Sequence, residues 1–132
     1  MILVDSSVWA DFFNGYPSPE EIKLKTLLDS MADIAIAGII ASEALSGFKD
    51  EKTFEEVKDT FLRLPQSQID FNSHIEAAKM YRNLRSKGIT IRSIIDCLIA
   101  VIAIEDRLEL LYKDRDFEMI GKYYPSLELL QV

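Results

Sequence analysis

The chain alternates between short aliphatic runs and longer segments whose apolar residues recur at helical spacing. Ile2–Val4 is a brief aliphatic run ended by polar residues, the pattern of a short buried strand. Ser7 to Phe13 reads as a short helix that stops at Asn14-Gly15, a helix-ending and turn signal. Ser18-Pro19-Glu20-Glu21 places Ser at an N-cap, Pro at the first helical position and Glu three residues after the cap. That helix is expected to run to about Met31. A second strand is predicted at Ile34–Ile36, followed by a helix from about Ile39 to Leu45. Thr53-Phe-Glu-Glu56 has the capping-box pattern and starts a helix that Pro65 ends. Gln68–Asp70 is a further short strand candidate. Ser73-His-Ile-Glu76 caps a longer helix that ends near Lys87-Gly88, with Gly in the C′ role. Ser93-Ile-Ile-Asp96 opens the most apolar helix, to about Glu105. Leu108–Tyr112 reads as a strand, Asp116–Tyr123 as a short helix and Leu127–Leu130 as a last strand. Strands alternating with helices predict an α/β fold, a three-layer α/β/α sandwich on a mostly parallel sheet.

At 132 residues the chain fits a single domain, residues 1–132, with a real hydrophobic core. Its apolar fraction of 48% is ordinary globular material and excludes a disordered segment. The longest apolar stretch, Cys97 to Ile104, falls far short of the roughly 20 residues that span a bilayer. A single cysteine, Cys97, rules out an internal disulfide framework. With no basic leader ahead of an apolar stretch, these features predict a cytoplasmic protein with no membrane partner. The formal charge of −7 argues against indiscriminate nucleic-acid binding. The charge is uneven, however. Residues 77–95 hold Lys79, Arg82, Arg85, Lys87 and Arg92 with no acid, a net of +5 that leaves −12 on the remainder. Such a stretch is either a solvated helix face or a basic rim that receives phosphates.

Against this background, several carboxylates stand at the edges of apolar elements. Asp5 follows Met-Ile-Leu-Val, Glu43 lies inside Ala-Gly-Ile-Ile-Ala-Ser-Glu-Ala-Leu, Asp96 opens the apolar helix, and Asp114 with Asp116 follows Leu-Glu-Leu-Leu-Tyr-Lys. An ionised carboxylate near a core is costly unless it is paired, hydrogen-bonded or bound to a metal. Each has a local explanation as well. Asp5 would cap the next helix, Asp96 would be the acidic half of a capping box, and Asp114 with Asp116 would cap a helix start. Glu43, several residues into an Ala/Ile/Leu segment, has the weakest such account. In an open parallel sheet, ligands gather beyond the carboxyl ends of the strands, where Asp5, Asp114 and Asp116 are predicted to lie. One shared acidic cluster suits Mg²⁺ or Mn²⁺, and two such ions about 3.5–4 Å apart can drive phosphodiester hydrolysis.

These segments resemble the motifs of PIN-domain nucleases, in particular the VapC toxins of toxin–antitoxin pairs. Met-Ile-Leu-Val-Asp5-Ser6-Ser7-Val8-Trp9 resembles the first motif and Ser42-Glu43-Ala-Leu-Ser-Gly47 the second. Ile94-Ile-Asp96-Cys-Leu-Ile-Ala100 is similar to the third, and Lys113-Asp114-Arg-Asp116-Phe117 to the fourth. The resemblance covers nearly the whole chain. It implies metal binding and catalysis by Asp5, Glu43, Asp96 and Asp114, with Asp116 replacing or assisting Asp114. It also implies that Ser6 or Ser7, with Ser7 favoured, orients the cluster, and that Arg92 contacts substrate phosphate. Its further implications are an RNA substrate, Mg²⁺ or Mn²⁺ as cofactor, a VapB-type antitoxin and a homodimer. Trp9 and Phe12 read as core or dimer-contact residues, and His74 as a surface or capping residue. A receiver domain would need an acidic pair after the first strand, and a haloacid-dehalogenase-type phosphatase would need Asp-x-Asp. Asp5-Ser6-Ser7 meets neither requirement. The remaining rival is a non-catalytic RNA-binding or interaction module.

Overall fold

The computed structural model describes residues 1–132. Five strands form one sheet: β1 (Ile2–Val4), β2 (Ile34–Ala37), β3 (Gln66–Ser67), β4 (Glu109–Leu111) and β5 (Glu128–Leu129). Their spatial order is β3-β2-β1-β4-β5, and every pairing is parallel. Seven helices connect them: α1 (Ser6–Asn14), α2 (Pro19–Asp29), α3 (Gly38–Ser46), α4 (Glu51–Leu62), α5 (Phe71–Ser86), α6 (Ile94–Glu105) and α7 (Asp116–Tyr123). Every residue of β1 and β2 is buried. Helices must therefore cover both faces, as parallel sheets require. α6 carries seven consecutive buried residues, Cys97 to Ala103, and packs between α5, α7 and the sheet. The aromatic side of the core gathers around Trp9, whose ring lies 5.3 Å from Phe61 and 5.8 Å from Phe13 between centroids.

Several local expectations hold for local reasons. Ser18 accepts a hydrogen bond from the Glu21 N–H at 3.1 Å with Pro19 in the first turn. Gly15 and Gly88 take positive φ, 71° and 81°, where a side chain would be strained. Three expectations are corrected. The third strand lies at Gln66–Ser67 and not at Gln68–Asp70, because pairing with β2 begins directly after the helix stop, where Ile36 N–H donates to Pro65 O at 2.9 Å. Asp70 instead caps α5, accepting from Ser73 N–H at 3.1 Å, so that helix starts before Ser73. Likewise Asp50 caps α4, accepting from Thr53 N–H at 2.9 Å, and Thr53 lies inside the first turn. In both cases an Asp three residues upstream outcompetes the Ser or Thr, its ionised oxygen being the stronger acceptor.

The strand order locates the site. The chain builds outward from β1 through β2 to β3, then returns to the other side of β1 and builds outward through β4 to β5. The connections therefore diverge between β1 and β4, which opens a crevice at their carboxyl ends. Val4 is level with Leu111, and Asp5 N–H donates to Leu111 O at 2.9 Å. The segments leaving β1 and β4 thus emerge side by side.

Candidate metal centre

Asp5 leaves β1 and occupies the N-cap position of α1, but its side chain makes no capping hydrogen bond. It accepts from Ser7 Oγ at 2.8 Å and is only 6% exposed. Burial pushes its pKa up, more than the Ser7 hydroxyl and the N–H groups of Ser6 and Ser7 pull it down, and Asp114 pushes it further up. Glu43, on α3, is exposed. It accepts from Ser6 Oγ at 3.3 Å, and its pKa is raised by burial and by Asp5. Both serines thus serve the cluster, each holding a different acid. Ser7, the favoured one, sits on Asp5.

Asp96 lies in the first turn of α6, and Ser93 caps that helix by accepting from Ile95 N–H at 3.2 Å. The reciprocal half of a capping box is not made, so the Asp96 carboxylate has no hydrogen bond tying it to the helix start. Its pKa is pushed up to about 7, first by desolvation and then by Asp5, Asp114, Asp116 and Glu43. All four acids that raise it were named from sequence as its partners. Carboxylate oxygens of Asp96, Asp114 and Asp116 lie within 4.8 Å of one another. Asp5 and Glu43 stand outside that tightest group and reach it through their charges.

Asp114 and Asp116 are arranged by the turn after β4. Asp116 N–H donates to Asp114 Oδ1 at 2.9 Å. Arg92 closes over both: Nη2 lies 2.7 Å from Asp114 Oδ2, Nε lies 3.4 Å from Asp116 Oδ2, and the Arg92 N–H donates to that same oxygen at 3.1 Å. The guanidinium that sequence reasoning gave to substrate is here the counter-ion of two cluster acids. With 75% of its side chain exposed, these contacts are screened by solvent and a competitor can take them. Lys113 does not join the cluster. It pairs with Asp11 at 2.6 Å, and Asp11 also accepts from Ser18 Oγ at 2.7 Å, which ties the segment leading to Asp114 onto α1. No local pattern marked Asp11, because its partners lie in other elements. Trp9 and Phe12 pack in the core, and His74 is exposed on α5.

The donor set fits a hard divalent cation. All the ligand atoms are carboxylate oxygens, and Asp5, Glu43 and Asp96 have no cationic partner in the protein. Such a set repels itself until a cation arrives. The architecture and the site together are those of a PIN domain, and the chain belongs to that family, whose profile matches residues 2–123. Within it, the sequence is 36% identical to a VapC ribonuclease of Mycobacterium bovis and to ribonuclease VapC11 of Mycobacterium tuberculosis, in each case over 92% of both chains. Among solved structures it resembles VapBC2 of Rickettsia felis, bound to a fragment of its promoter DNA, with TM-score 0.73, 25% identity and 98% of each chain covered. The fold is shared with M. tuberculosis VapC20, a sarcin-ricin-loop-cleaving toxin, at TM-score 0.69 and 15% identity over 92% of this chain and 95% of that one. PIN nucleases are metal-dependent, which agrees with the acid cluster. No helix is long and apolar enough to cross a membrane.

Proposed function

We propose that this protein, acting as one domain over residues 1–132, is a divalent-metal-dependent endoribonuclease and the toxin half of a VapBC-type pair. The observation that carries the reading is Asp96, a carboxylate without a hydrogen-bond partner clustered with Asp114 and Asp116, its pKa pushed up to about 7 first by desolvation and then by four other acids. Asp5, Glu43 and Asp96 would hold the metal, with Asp114 completing the set and Asp116 assisting it. Asp114 ranks ahead of Asp116 because it also acts on Asp5 and is the larger of the two influences on Asp96. Mg²⁺ is the proposed ion; Mn²⁺ satisfies the same oxygen ligands. When bound, the metal supplies Lewis acidity for activating water and for neutralising charge on the phosphoryl and leaving oxygens.

The protein's own groups prepare that chemistry. Ser7 donates to Asp5 Oδ2 and Ser6 to Glu43 Oε1, which holds each carboxylate in one rotamer. Arg92 stands at the cluster rim, its exposed guanidinium on Asp114 and Asp116, where it would be in place to receive a substrate phosphate. The only histidine, His74, lies in an exposed stretch of α5 away from the cluster, so no Ser-His or Cys-His nucleophile is assembled. Cys97 is buried and its thiol is pushed up to about 11, which leaves it inert.

The partner is proposed to be a VapB-type antitoxin, supported by relatives named as VapC ribonucleases and by the likeness to VapBC2 of Rickettsia felis. The acidic remainder of the chain suits a basic antitoxin segment. A homodimer and a cytoplasmic location complete the reading. Cleavage of a labelled single-stranded RNA by purified protein with Mg²⁺, abolished by chelator and by Asp96→Asn, is the decisive experiment. Folded, Mg²⁺-loaded protein that cleaved no RNA would leave the non-catalytic interaction module as the better account.

A further inference from the structure

We propose that the C-terminal half of α5 and the turn after it, through Arg82, Arg85 and Lys87, form the track along which an RNA strand's phosphates run into the acid cluster. The proposal rests on the ribonuclease reading and adds the surface that holds the substrate. Ser73 Oγ donates to Glu105 Oε1 at 2.6 Å, which pins the start of α5 to the end of α6. The two helices therefore run antiparallel. The cationic end of α5 lies at the same end of α6 as Asp96, and the turn from Lys87 leads within five residues to Arg92, already on Asp114 and Asp116.

Arg82, Arg85 and Lys87 are exposed, and none forms an ion pair. In the same acid-free stretch, Lys79 is paired with Glu76 and Arg92 with Asp114 and Asp116. A favourable helix dipole explains a cation in the last turn, and Arg85 also lies over the Tyr81 ring at 5.6 Å. Neither reason covers Arg82, which faces away from the buried row Ser73, Ala77, Met80 and Leu84. Nor does either account for three unneutralised cations beside the acid pole of a chain with net charge −7. Phosphates are the complementary occupant. A basic antitoxin segment drawn to the acid cluster would be repelled by this face, so the two ligands are sorted by charge.

The test is fluorescence anisotropy of a labelled mixed-sequence single-stranded RNA with full-length Asp96→Asn protein, in which the expected loss of cleavage leaves the RNA intact during the measurement. Arg82→Gln/Arg85→Gln/Lys87→Gln in that background is compared with Lys49→Gln/Lys52→Gln/Arg63→Gln, which removes the same charge around α4. The α5 triple is expected to weaken binding at least ~10-fold at 0.1 M salt and to lower the salt slope by about 2, from about 0.7 per phosphate contact. The control triple should change affinity less than about twofold. In the cleaving protein the α5 triple should raise KM with kcat nearly intact, a split that a folding defect does not mimic. Equal weakening by both triples, or none by the α5 triple in a protein that still cleaves RNA, overturns the track alone. Absence of RNA binding and cleavage in the unsubstituted protein overturns the ribonuclease reading with it.

Discussion

Asp5 and Glu21 are both acids sealed from solvent, 6% and 2% exposed, but they keep opposite electrostatic company. Glu21 sits in the first turn of α2, where the helix dipole favours a negative charge, and Lys25 Nζ lies 3.9 Å from its Oε2. Asp5 has a hydroxyl partner and is raised by a second acid, with no cation in reach. Burial of a carboxylate therefore does not mark a site. What marks this one is convergence: Asp5, Glu43 and Asp96 have no cationic partner, and acids from four separate elements raise their pKa. Glu21, whose buried Oε2 lacks a hydrogen bond, has only Lys25 nearby. Glu21 looks like an ordinary capping-region residue in sequence and is a structural acid; Asp5 looks like an ordinary cap and is not one.

The largest effects should come from testing that contrast directly. Asp5→Asn or Asp96→Asn is expected to lower RNA cleavage by at least ~10²–10³-fold, the scale for losing one electrostatic element of a site. The melting temperature of the metal-free protein should stay the same or rise, since burial disfavours the charge being removed. Glu21→Ala should do the reverse: thermal stability falls by about 1–2 kcal/mol while cleavage stays within about twofold. If Glu21→Ala abolished cleavage in folded protein, the division between structural and functional acids would be wrong.

A smaller effect concerns pH. Asp96 holds its proton up to about 7 in the folded protein, whereas its ordinary value is 3.8. The metal-free native state thus binds more protons than the unfolded chain through that window, and its stability falls as pH rises from about 4 to about 7. Asp5 and Glu43 shift the same way and add to the slope. After allowance for solvent around the half-buried Asp96, about 1–2 kcal/mol is expected over the window. Saturating Mg²⁺ should remove it. Denaturant melts at several pH values, with chelator and with Mg²⁺, read this directly; a metal-free stability that climbs through the same range would refute the repulsive cluster.

The smallest expected effect is at Arg92. Arg92→Gln removes a competing counter-ion from Asp114 and Asp116, so Mn²⁺ affinity measured by calorimetry should rise, by no more than about fivefold for so exposed a pair. Unchanged or weaker binding would mean that Arg92 supports the loaded site and does not compete for it. Asp114→Asn should reduce metal affinity more than Asp116→Asn.

Local signals were legible wherever the physics is local. Pro19 after Ser18, Gly15 and Gly88 at positive φ, and the aliphatic runs of β1 and β2 are read from neighbouring residues, and each stands where it was expected. The misread elements are those where two nearby polar groups compete. Asp50 displaced Thr53, Asp70 displaced Ser73, and taking Asp70 as a cap moved the third strand back to Gln66–Ser67. All five acids named from sequence stand within electrostatic reach of Asp96 or at it. The Asp11–Lys113 pair that steadies the approach to Asp114 left no trace, because an ion pair between α1 and the end of β4 has no spacing rule.

By itself the sequence determined which chemistry is present and where most elements lie: carboxylates at the ends of apolar runs, five of the fifteen cations gathered in one acid-free stretch, and the Ser18 and Ser93 caps that set helix starts. These are properties of neighbours along the chain. Only the tertiary structure decided how each charge is solvated and paired. It set β4 beside β1, so that Asp5 and Asp114 emerge together, left Asp96 without a partner, turned Arg92 onto two acids and buried Glu21 beside Lys25. The energy of a carboxylate depends on what the rest of the fold places within a few ångströms of it, and that is a property of packing between distant segments.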